Sequence, residues 1–270
     1  MSDQIGTLTV YSTRGGNGKT ITSVMLATAA AKRNLKTVII DADLEAPSLM
    51  HLLKPVRDGP TWVDFLEENV SDIRELPREC NIPNLDIIYS PLPKVGKNFL
   101  GWKTKDWWQQ SLKRSMIAEE ELHDIGYDLV VIDNQSGTSL NSVNNMVLAD
   151  TSVMVIRPAT YGVGAAENFI GEMYRVLRDL NPRQDSYMWN QVHVPTDDHE
   201  SLILENFLNR WDESMKLHGL LYGGKINFST KLNLGLLGET PNMMDFFEET
   251  RKPIDSLLDK LLQAKGIETS

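Results

Sequence analysis

The sequence predicts an α/β fold in which a doubly wound, mostly parallel sheet carries helices on both of its faces. Short apolar runs alternate with helix-forming segments along the whole length of 270 residues. A glycine-rich turn joins the first apolar run to the first helix-forming segment, and the chain contains neither an internal repeat nor a low-complexity tract. This alternation is typical of βαβ units. It predicts a single domain over residues 1–270.

The first predicted unit is a strand, a turn, a helix and a second strand. The strand spans Leu8–Tyr11, the turn Thr13–Thr20 has the sequence TRGGNGKT, and the helix spans Lys19–Arg33 before a strand at Thr37–Ile40. A glycine-rich turn between a strand and a helix directs several backbone N–H groups and a helix N-terminus at one point, which suits phosphate. The strict pattern G-x-x-x-x-G-K-[ST] is not met, because Thr13 occupies its first position. A variant, basic-Gly-Gly-x-Gly-Lys-Thr, is met instead.

The remaining elements are predicted from apolar periodicity and from turn residues. The predicted strands are Leu85–Tyr89, Leu129–Asp133, Ser152–Ile156, Tyr187–Val192 and Gly224–Phe228. The predicted helices are Trp62–Asn69, Lys105–Leu122, Asn141–Leu148, Gly164–Leu180, Leu202–Leu217 and an amphipathic C-terminal helix at Pro253–Lys265. The segment Lys54–Pro93, which includes the helix at Trp62–Asn69 and the strand at Leu85–Tyr89, is punctuated by prolines and less regular.

Composition excludes several classes of protein. A single cysteine, Cys80, rules out an internal disulfide framework, and it has no Cys or His neighbours at the spacing of a zinc site. The sequence contains neither a secretory signal nor an apolar run of 18 residues, which leads us to expect a cytoplasmic protein. A net charge of −10 argues against wholesale coating of nucleic acid.

Charge is distributed unevenly in the middle of the chain. The segment Lys94–Ile117 has six basic residues and one acid, whereas Ala118–Asp150 has seven acids and neither lysine nor arginine. The basic residues are Lys94, Lys97, Lys103, Lys105, Lys113 and Arg114, interleaved with Trp102, Trp107 and Trp108. A local patch of this kind can bind a polyanion even on an acidic protein. The alternative is a solvated helix face whose tryptophans belong to the core.

Phosphoryl transfer needs a phosphate cradle, a metal ion and a group that positions water. In the turn, Lys19 is expected to reach the β- and γ-phosphates, and the Thr20 hydroxyl to ligate Mg²⁺. Asp133 ends an apolar strand and is expected to hold Mg²⁺, with Asp41 beside it. Asp43 lies two residues further along, on the same side of the strand, and is expected to orient water. A single such Asp could be a turn or capping residue, but three beside a phosphate loop favour a site.

Four blocks of sequence carry a resemblance to a known family. They are TRGGNGKT (Thr13–Thr20), VIIDADLEAPSL (Val38–Leu49), YDLVVIDNQSG (Tyr127–Gly137) and ADTSVMVIRP (Ala149–Pro158). In order and spacing they resemble the ParA/MinD family of deviant Walker A P-loop ATPases, over at least Leu8–Leu180. The nearness of the loop to the start of the sequence resembles the short, stand-alone ParA-like type. The resemblance implies a P-loop NTPase fold and a homodimer with ATP and Mg²⁺ sandwiched at its interface.

The resemblance also implies roles for individual residues. Arg14 stands where the family has the signature lysine that reaches across the dimer; it keeps the charge but is bulkier and planar. Asp43 falls on the family's water-activating aspartate, and Asp133 on its metal-site aspartate. The turn Gln135–Gly137 departs from the usual Pro-Pro-Gly or Pro-Ala-Gly.

Nucleotide contacts follow from the same resemblance. The loop residues expected to bind ATP are Gly15, Gly16, Asn17, Gly18, Lys19, Thr20 and Ile21. Adenine recognition is expected at Asn190 and Pro241, although either could be a plain turn residue. The predicted function is therefore that of a slow, ATP-dependent switch that partitions or positions DNA or a protein cargo and is stimulated by a partner protein.

The output surface of such a switch is left open by the sequence. A ParA-like protein would bind DNA without sequence preference, here through the basic residues between Lys94 and Arg114, and would associate with the nucleoid. A MinD-like protein would bind membrane by its C-terminal helix, but that helix mixes Asp255 and Asp259 with Lys260 and Lys265, which favours ordinary packing. A further alternative is a nucleotide-binding adaptor that does not hydrolyse ATP.

Overall fold

A computed structural model describes residues 5–92, 103–238 and 241–267 of the chain. Eight strands form one sheet in the order β3-β4-β2-β5-β1-β6-β7-β8. Their bounds are β1 Gly6–Tyr11, β2 Thr37–Ala42, β3 Arg78–Glu79, β4 Leu85–Ile88, β5 Leu129–Asn134, β6 Thr151–Ile156, β7 Ser186–Val192 and β8 Leu221–Asn227. All neighbouring pairs are parallel except β3 and β4. The predicted doubly wound, mostly parallel sheet is confirmed.

Helices cover both faces of this sheet. They are α1 Lys19–Lys32, α2 Leu49–Leu52, α3 Trp62–Leu66, α4 Lys105–Asp124, α5 Leu140–Leu148, α6 Thr160–Phe169, α7 Arg175–Leu180, α8 Asp198–Leu217, α9 Thr230–Gly235 and α10 Met243–Ala264. A π-helical turn, Ile170–Tyr174, joins α6 to α7. Strands from both ends of the chain lie in one sheet, as a single domain over residues 1–270 requires, although that boundary itself stays a prediction.

The largest error in the predicted elements concerns the last helix, which begins ten residues before Pro253. Asn242 caps its start by accepting a hydrogen bond from the N–H of Met244. The sequence prediction began the helix at Pro253, and proline is favoured in a first helical turn. In the structure Phe246 and Phe247 are buried, so packing of the earlier turns offsets the cost of an internal proline. The two-residue strand β3 and the short helices α2 and α9 were not predicted.

The sheet and α1 share a core that fixes the start of α1. All six residues of β5 are buried, as a parallel strand covered on both faces should be. In α1 the buried positions extend round the helix, and its many alanines allow close approach to the sheet and to α10. Since α1 is held along its length, the turn that precedes it is presented from a rigid support.

The C-terminal helix α10 packs against the domain, in agreement with the favoured sequence interpretation. Its apolar face is buried, with Ile254 and Leu257 fully inaccessible to solvent. On its polar side Arg33, the C-cap residue of α1, contacts Asp255 at 3.2 Å and Asp259 at 2.5 Å. An apolar face already covered in this way is not presented to a membrane surface. Within the described ranges, no helix combines the length and the apolar character needed to span a bilayer.

Candidate nucleotide-binding site

The glycine-rich loop between β1 and α1 depends on left-handed backbone at two positions. Gly16 has φ +79° and Gly18 has φ +88°, a region that residues with a side chain rarely adopt. Gly18 is also the N-cap of α1, and a Cβ added there would lie 2.2 Å from Nδ2 of Asn190. At Gly16 no atom lies within 4 Å of such a Cβ. The loop is therefore tightly packed at one glycine and open at the other.

Two side chains of β7 and one side chain of the loop itself hold this loop in place. Asn190 of β7 donates from Nδ2 to the carbonyl of Asn17 at 2.9 Å, and Gln191 donates from Nε2 to the carbonyl of Gly16 at 2.9 Å. In return Asn17 donates from Nδ2 to the carbonyl of Val155 in β6 at 3.2 Å. Gln191 was missed by sequence reasoning, since a glutamine inside a predicted strand carries no signal of this contact. With these carbonyls bound from one side, the loop N–H groups remain for an anion.

The two basic residues of the loop lie in opposite environments. Lys19 is buried, with 7% of its surface exposed, and its charge lowers the pKa of the Asp133 carboxyl. Arg14 is exposed, and its guanidinium carbon lies 5.1 Å from the centroid of the Tyr161 ring. Lys19 therefore faces the site of its own chain, while Arg14 is presented on the surface beside it.

Two aspartates at the ends of neighbouring strands are both buried and lie side by side in the sheet. Asp41 of β2 and Asp133 of β5 are direct partners in the sheet register. Asp41 accepts from the N–H groups of Ser48 and Leu49 at 3.0 and 3.1 Å, and Asp133 accepts from Ser23 Oγ at 2.9 Å. The remaining oxygen of each carboxylate, Oδ1 of Asp41 and Oδ2 of Asp133, is buried without a hydrogen-bond partner.

Burial disfavours the ionised forms of this pair, and a bound cation would offset that cost. Burial raises the pKa of Asp41 to about 8, with a further contribution from Asp133, and burial raises the pKa of Asp133 to about 6. Among the residues that the structure describes, no group of three or more His, Cys, Asp or Glu side chains could hold a metal. Mg²⁺ typically takes only one or two carboxylates and completes its shell with phosphate oxygens and water. The two unpartnered oxygens and the Thr20 hydroxyl fit that requirement.

These pKa directions predict how stability depends on pH without metal. A carboxyl whose pKa is higher in the folded than in the unfolded state, about 3.9, binds its proton more tightly when folded. The contribution of Asp41 to the free energy of unfolding is then fully present below the unfolded pKa and is lost as pH rises towards about 8. We expect Asp41→Asn to flatten this fall and to stabilise the metal-free protein at pH 8 by on the order of 1–3 kcal/mol.

Urea unfolding of the metal-free protein across this pH range measures the effect. Asp58→Asn, at an exposed position, is the matched control and should leave the profile unchanged. A stability of Asp41→Asn that falls with pH as steeply as that of the wild type would contradict the assignment.

The third predicted acid, Asp43, lies just beyond the end of β2. It is partly exposed, and its Oδ1 accepts from the N–H of Ala46 at 3.0 Å, which fixes a short turn. Its charge raises the pKa of both Asp41 and Asp133, so it lies close to the buried pair. The structure thus brings Asp43 to the same edge of the sheet as Lys19.

The turn after β5 is tied to the base of the phosphate loop. The N–H of Gly137 donates to the carbonyl of Ser12 at 3.1 Å. The carbonyl of Gly137 accepts from Tyr11 Oη and from Ser142 Oγ, both at 2.8 Å. Gln135 is buried and accepts from Asn141 Nδ2 at 3.2 Å. Gln135 thus takes part in the packing of the turn, which departs from the family's usual sequence.

The two predicted adenine contacts are not brought together. Asn190 borders a cavity of about 70 Å³ with Gly18, Ile21 and Phe228. Pro241 directly precedes Asn242, the N-cap of α10, and lines a separate cavity beside Leu52 and Cys80. Adenine recognition at Asn190 and Pro241 therefore stays a prediction, with the two residues lining separate cavities.

The predicted basic surface is only partly assembled. Lys94 and Lys97 lie outside the described residues. The Lys103 ammonium pairs with Glu67, and the Arg114 guanidinium donates to the carbonyls of Phe65 and Val70 at 3.1 and 3.2 Å. Lys105 and Lys113 are exposed, whereas Trp108 is buried. Arg114 and Trp108 thus contribute to contacts within the domain, as the alternative interpretation of this segment predicted.

Comparison with known proteins agrees with this geometry. A family model described as an AAA domain matches residues 5–185. The septum site-determining protein MinD of Synechocystis is 28% identical over 165 residues, which cover 61% of this chain and 58% of that protein. The chain spans little more than half the length of the curated relatives it matches.

Solved structures show the same fold. MinD of Pyrococcus horikoshii, complexed with Mg-ADP, has a TM-score of 0.70 at 14% identity and covers 95% of each chain. An aspartate-to-alanine variant of McdA from Cyanothece, in complex with ATP, has a TM-score of 0.74 at 16% identity and covers 100% of this chain and 99% of its own. The family model covers more than half of the chain, including the variant phosphate loop and the two strand-end aspartates. The chain therefore belongs to the ParA/MinD family of P-loop ATPases.

Proposed function

We propose that this chain is a switch that dimerises with ATP, hydrolyses it slowly, and positions DNA or a protein cargo. The observation that carries the proposal is the buried pair Asp41 and Asp133, each with an unpartnered oxygen, beside the phosphate loop. The relatives named above support it, since they include a septum-positioning protein and structures bound to Mg-ADP and to ATP.

Each residue of the site has one task in this proposal. The loop N–H groups and Lys19 bind the β- and γ-phosphates, which suits the position of Lys19 at the N-terminus of α1. Thr20 and Asp133, supported by Asp41, would hold Mg²⁺, which when bound would supply positive charge at the phosphate oxygens. Asp43 positions the attacking water, for which its partly exposed carboxylate at the strand edge is suited.

Arg14 links nucleotide binding to dimerisation. Its guanidinium is exposed at the edge of the loop, so it is available to the phosphates of a second copy. Arginine binds phosphate through two parallel hydrogen bonds, which makes it a suitable replacement for the signature lysine. The dimer therefore forms only with a triphosphate bound, and hydrolysis reopens it.

Substitution of Arg14 tests the proposal. We expect Arg14→Ala to bind ATP nearly as the wild type does but to remain monomeric with ATP and Mg²⁺, since the interchain contact is lost. Sedimentation velocity measures the dimer, and nucleotide fluorescence measures binding. Arg175→Ala, at an exposed arginine of α7, is the matched control and should dimerise normally. An Arg14→Ala protein that dimerises with ATP as the wild type does would refute the role of Arg14.

For the output surface we favour DNA over membrane. The exposed Lys105 and Lys113 are available for phosphate contacts, while the apolar face of α10 is occupied by packing. On this basis the protein is cytoplasmic and associates with the nucleoid, and a partner protein stimulates hydrolysis. The rival candidate is an adaptor that binds ATP without hydrolysing it. It is suggested by the altered turn at Gln135 and Ser136, which is fixed to the loop.

A further inference from the structure

An open groove lies between α4 and α5, outside the nucleotide-binding site. Its volume is about 430 Å³, and side chains of both helices line it. The lining residues on which the inference depends are Met116, Ile117, Glu120, Asp124, Val147 and Leu148. The floor of this groove is apolar and its α4 side is acidic.

The apolar side chains of the groove are exposed to an extent that packing within the chain does not explain. The exposed fraction is 55% for Met116, 45% for Ile117 and 38% for Val147. Exposed apolar residues scattered singly need no explanation, but a contiguous set rimmed by polar groups marks an interaction site. These residues come from two helices and meet in one groove, so they form such a set.

The acidic rim follows from the helical period of α4. Met116, Glu120 and Asp124 are spaced by four residues and therefore lie along one stripe, with the two acids exposed. Glu119 differs, because its carboxylate accepts from Thr7 Oγ1 at 2.8 Å. The nearby Lys36 ammonium is engaged at the carbonyl of Ile125, at 3.2 Å.

Glu119 and His123 also line the groove and pair with each other at 3.3 Å, so the exposed carboxylates of Glu120 and Asp124 leave this side of the groove negative. We propose that the groove binds an amphipathic helix of a partner protein, one with an apolar stripe flanked by lysines and arginines. The apolar stripe of the partner helix would pack against the apolar side chains of the groove, as in other helix-in-groove complexes. The flanking cations meet Glu120 and Asp124, which is the charge complementarity that selects this occupant.

The position of the groove sets it apart from the proposed switch. The C-terminal ends of α4 and α5 lie near the amino end of β1, as the contact between Glu119 and Thr7 indicates. The phosphate loop follows Tyr11 at the opposite end of that strand. Binding at the groove therefore requires neither nucleotide nor the dimer, and it goes beyond the proposed function by giving the chain a constant attachment to a partner.

The test uses a defined probe on the full chain. The probe is a synthetic helical peptide with leucines at i, i+3, i+4 and i+7 flanked by lysines, and a twin peptide carries glutamates in place of the lysines. Fluorescence anisotropy should show binding of the lysine peptide alone, equally without nucleotide, with ADP and with ATP. We expect the double variant Met116→Ser with Ile117→Ser to weaken binding about tenfold or more.

Matched variants on α8 separate groove binding from general attraction to an acidic protein. Leu202 and Ile203 are each 57% exposed, so their double serine variant controls for the apolar pair. Glu205→Lys with Glu213→Lys controls for Glu120→Lys with Asp124→Lys, since all four acids are exposed. Circular dichroism should show that every variant is folded.

Three results would overturn the proposal. They are equal binding of the acidic twin, equal weakening by the α8 variants, or nucleotide-free self-association that only the groove variants abolish. The last result would mean that a second copy of this chain occupies the groove. None of these results bears on the proposed switch, which Arg14→Ala tests separately.

Discussion

Lys19→Ala is expected to abolish ATP hydrolysis and to weaken ATP binding, with turnover lowered by on the order of 10²–10³ or more. Lys19 is the buried cation of the phosphate loop, and its charge acts on Asp133 in the same site. Without it, the phosphates lose a direct ligand. The Asp133 carboxyl also loses the charge that lowers its pKa, so it holds its proton more firmly and is a poorer metal ligand.

A phosphate-release assay and a fluorescent ATP analogue measure the two effects of this substitution. Lys32→Ala is the matched control, because it removes the same charge from an exposed position at the other end of α1. That variant should hydrolyse and bind ATP as the wild type does. Near-normal turnover in Lys19→Ala would show that the phosphate loop does not take part in hydrolysis as proposed.

Asp43→Ala is expected to bind ATP and dimerise, but to hydrolyse ATP about 10²–10⁴-fold more slowly, as loss of a positioned acid–base group does. The carboxylate has a second task, since it accepts the N–H of Ala46 and shapes the turn after β2. Asp43→Asn keeps an acceptor for that N–H and removes only the charge. Equal loss of turnover in both variants would therefore assign the effect to chemistry rather than to the turn.

The Asp43→Ala variant also tests whether DNA is the output surface. If the wild type hydrolyses ATP, Asp43→Ala holds the dimer closed, and its retention on random-sequence duplex DNA can be compared in ATP and ADP. Retention that needs ATP and falls with salt supports the DNA interpretation. Glu45→Ala, at an exposed acid nearby, should retain the lifetime of the wild-type dimer. A dimer lifetime unchanged in Asp43→Ala would favour the adaptor that does not hydrolyse ATP.

The sequence alone was sufficient for the fold and for the inner part of the site. Strongly apolar runs such as Leu129–Asp133 form buried parallel strands, although the order of the strands in the sheet differs from their order along the chain. Once the strands are parallel, their carboxyl ends meet at one edge, which is why Asp41 and Asp133 could be paired in advance. The local apolar pattern, together with the geometry of a parallel sheet, was therefore enough to predict these features.

Features that depend on distant contacts were not predictable. Arg114 was predicted to be part of a basic surface. Its guanidinium instead binds the backbone carbonyls of residues more than forty positions away in the chain. Pro253 seemed to begin a helix, but burial of the residues before it extends α10. Gln191 has φ +55° and reaches the loop carbonyl of Gly16, and neither fact has a signature in the sequence.

The contact between Asn190 and the loop has a mechanical consequence. One amide group binds the carbonyl of Asn17, while the same residue forms part of the wall of the small cavity beside Ile21. Gln191 lines the same cavity and binds the carbonyl of Gly16, so two neighbouring side chains at the end of β7 connect the cavity wall to the loop. A group bound in this cavity is therefore expected to shift the backbone that binds phosphate.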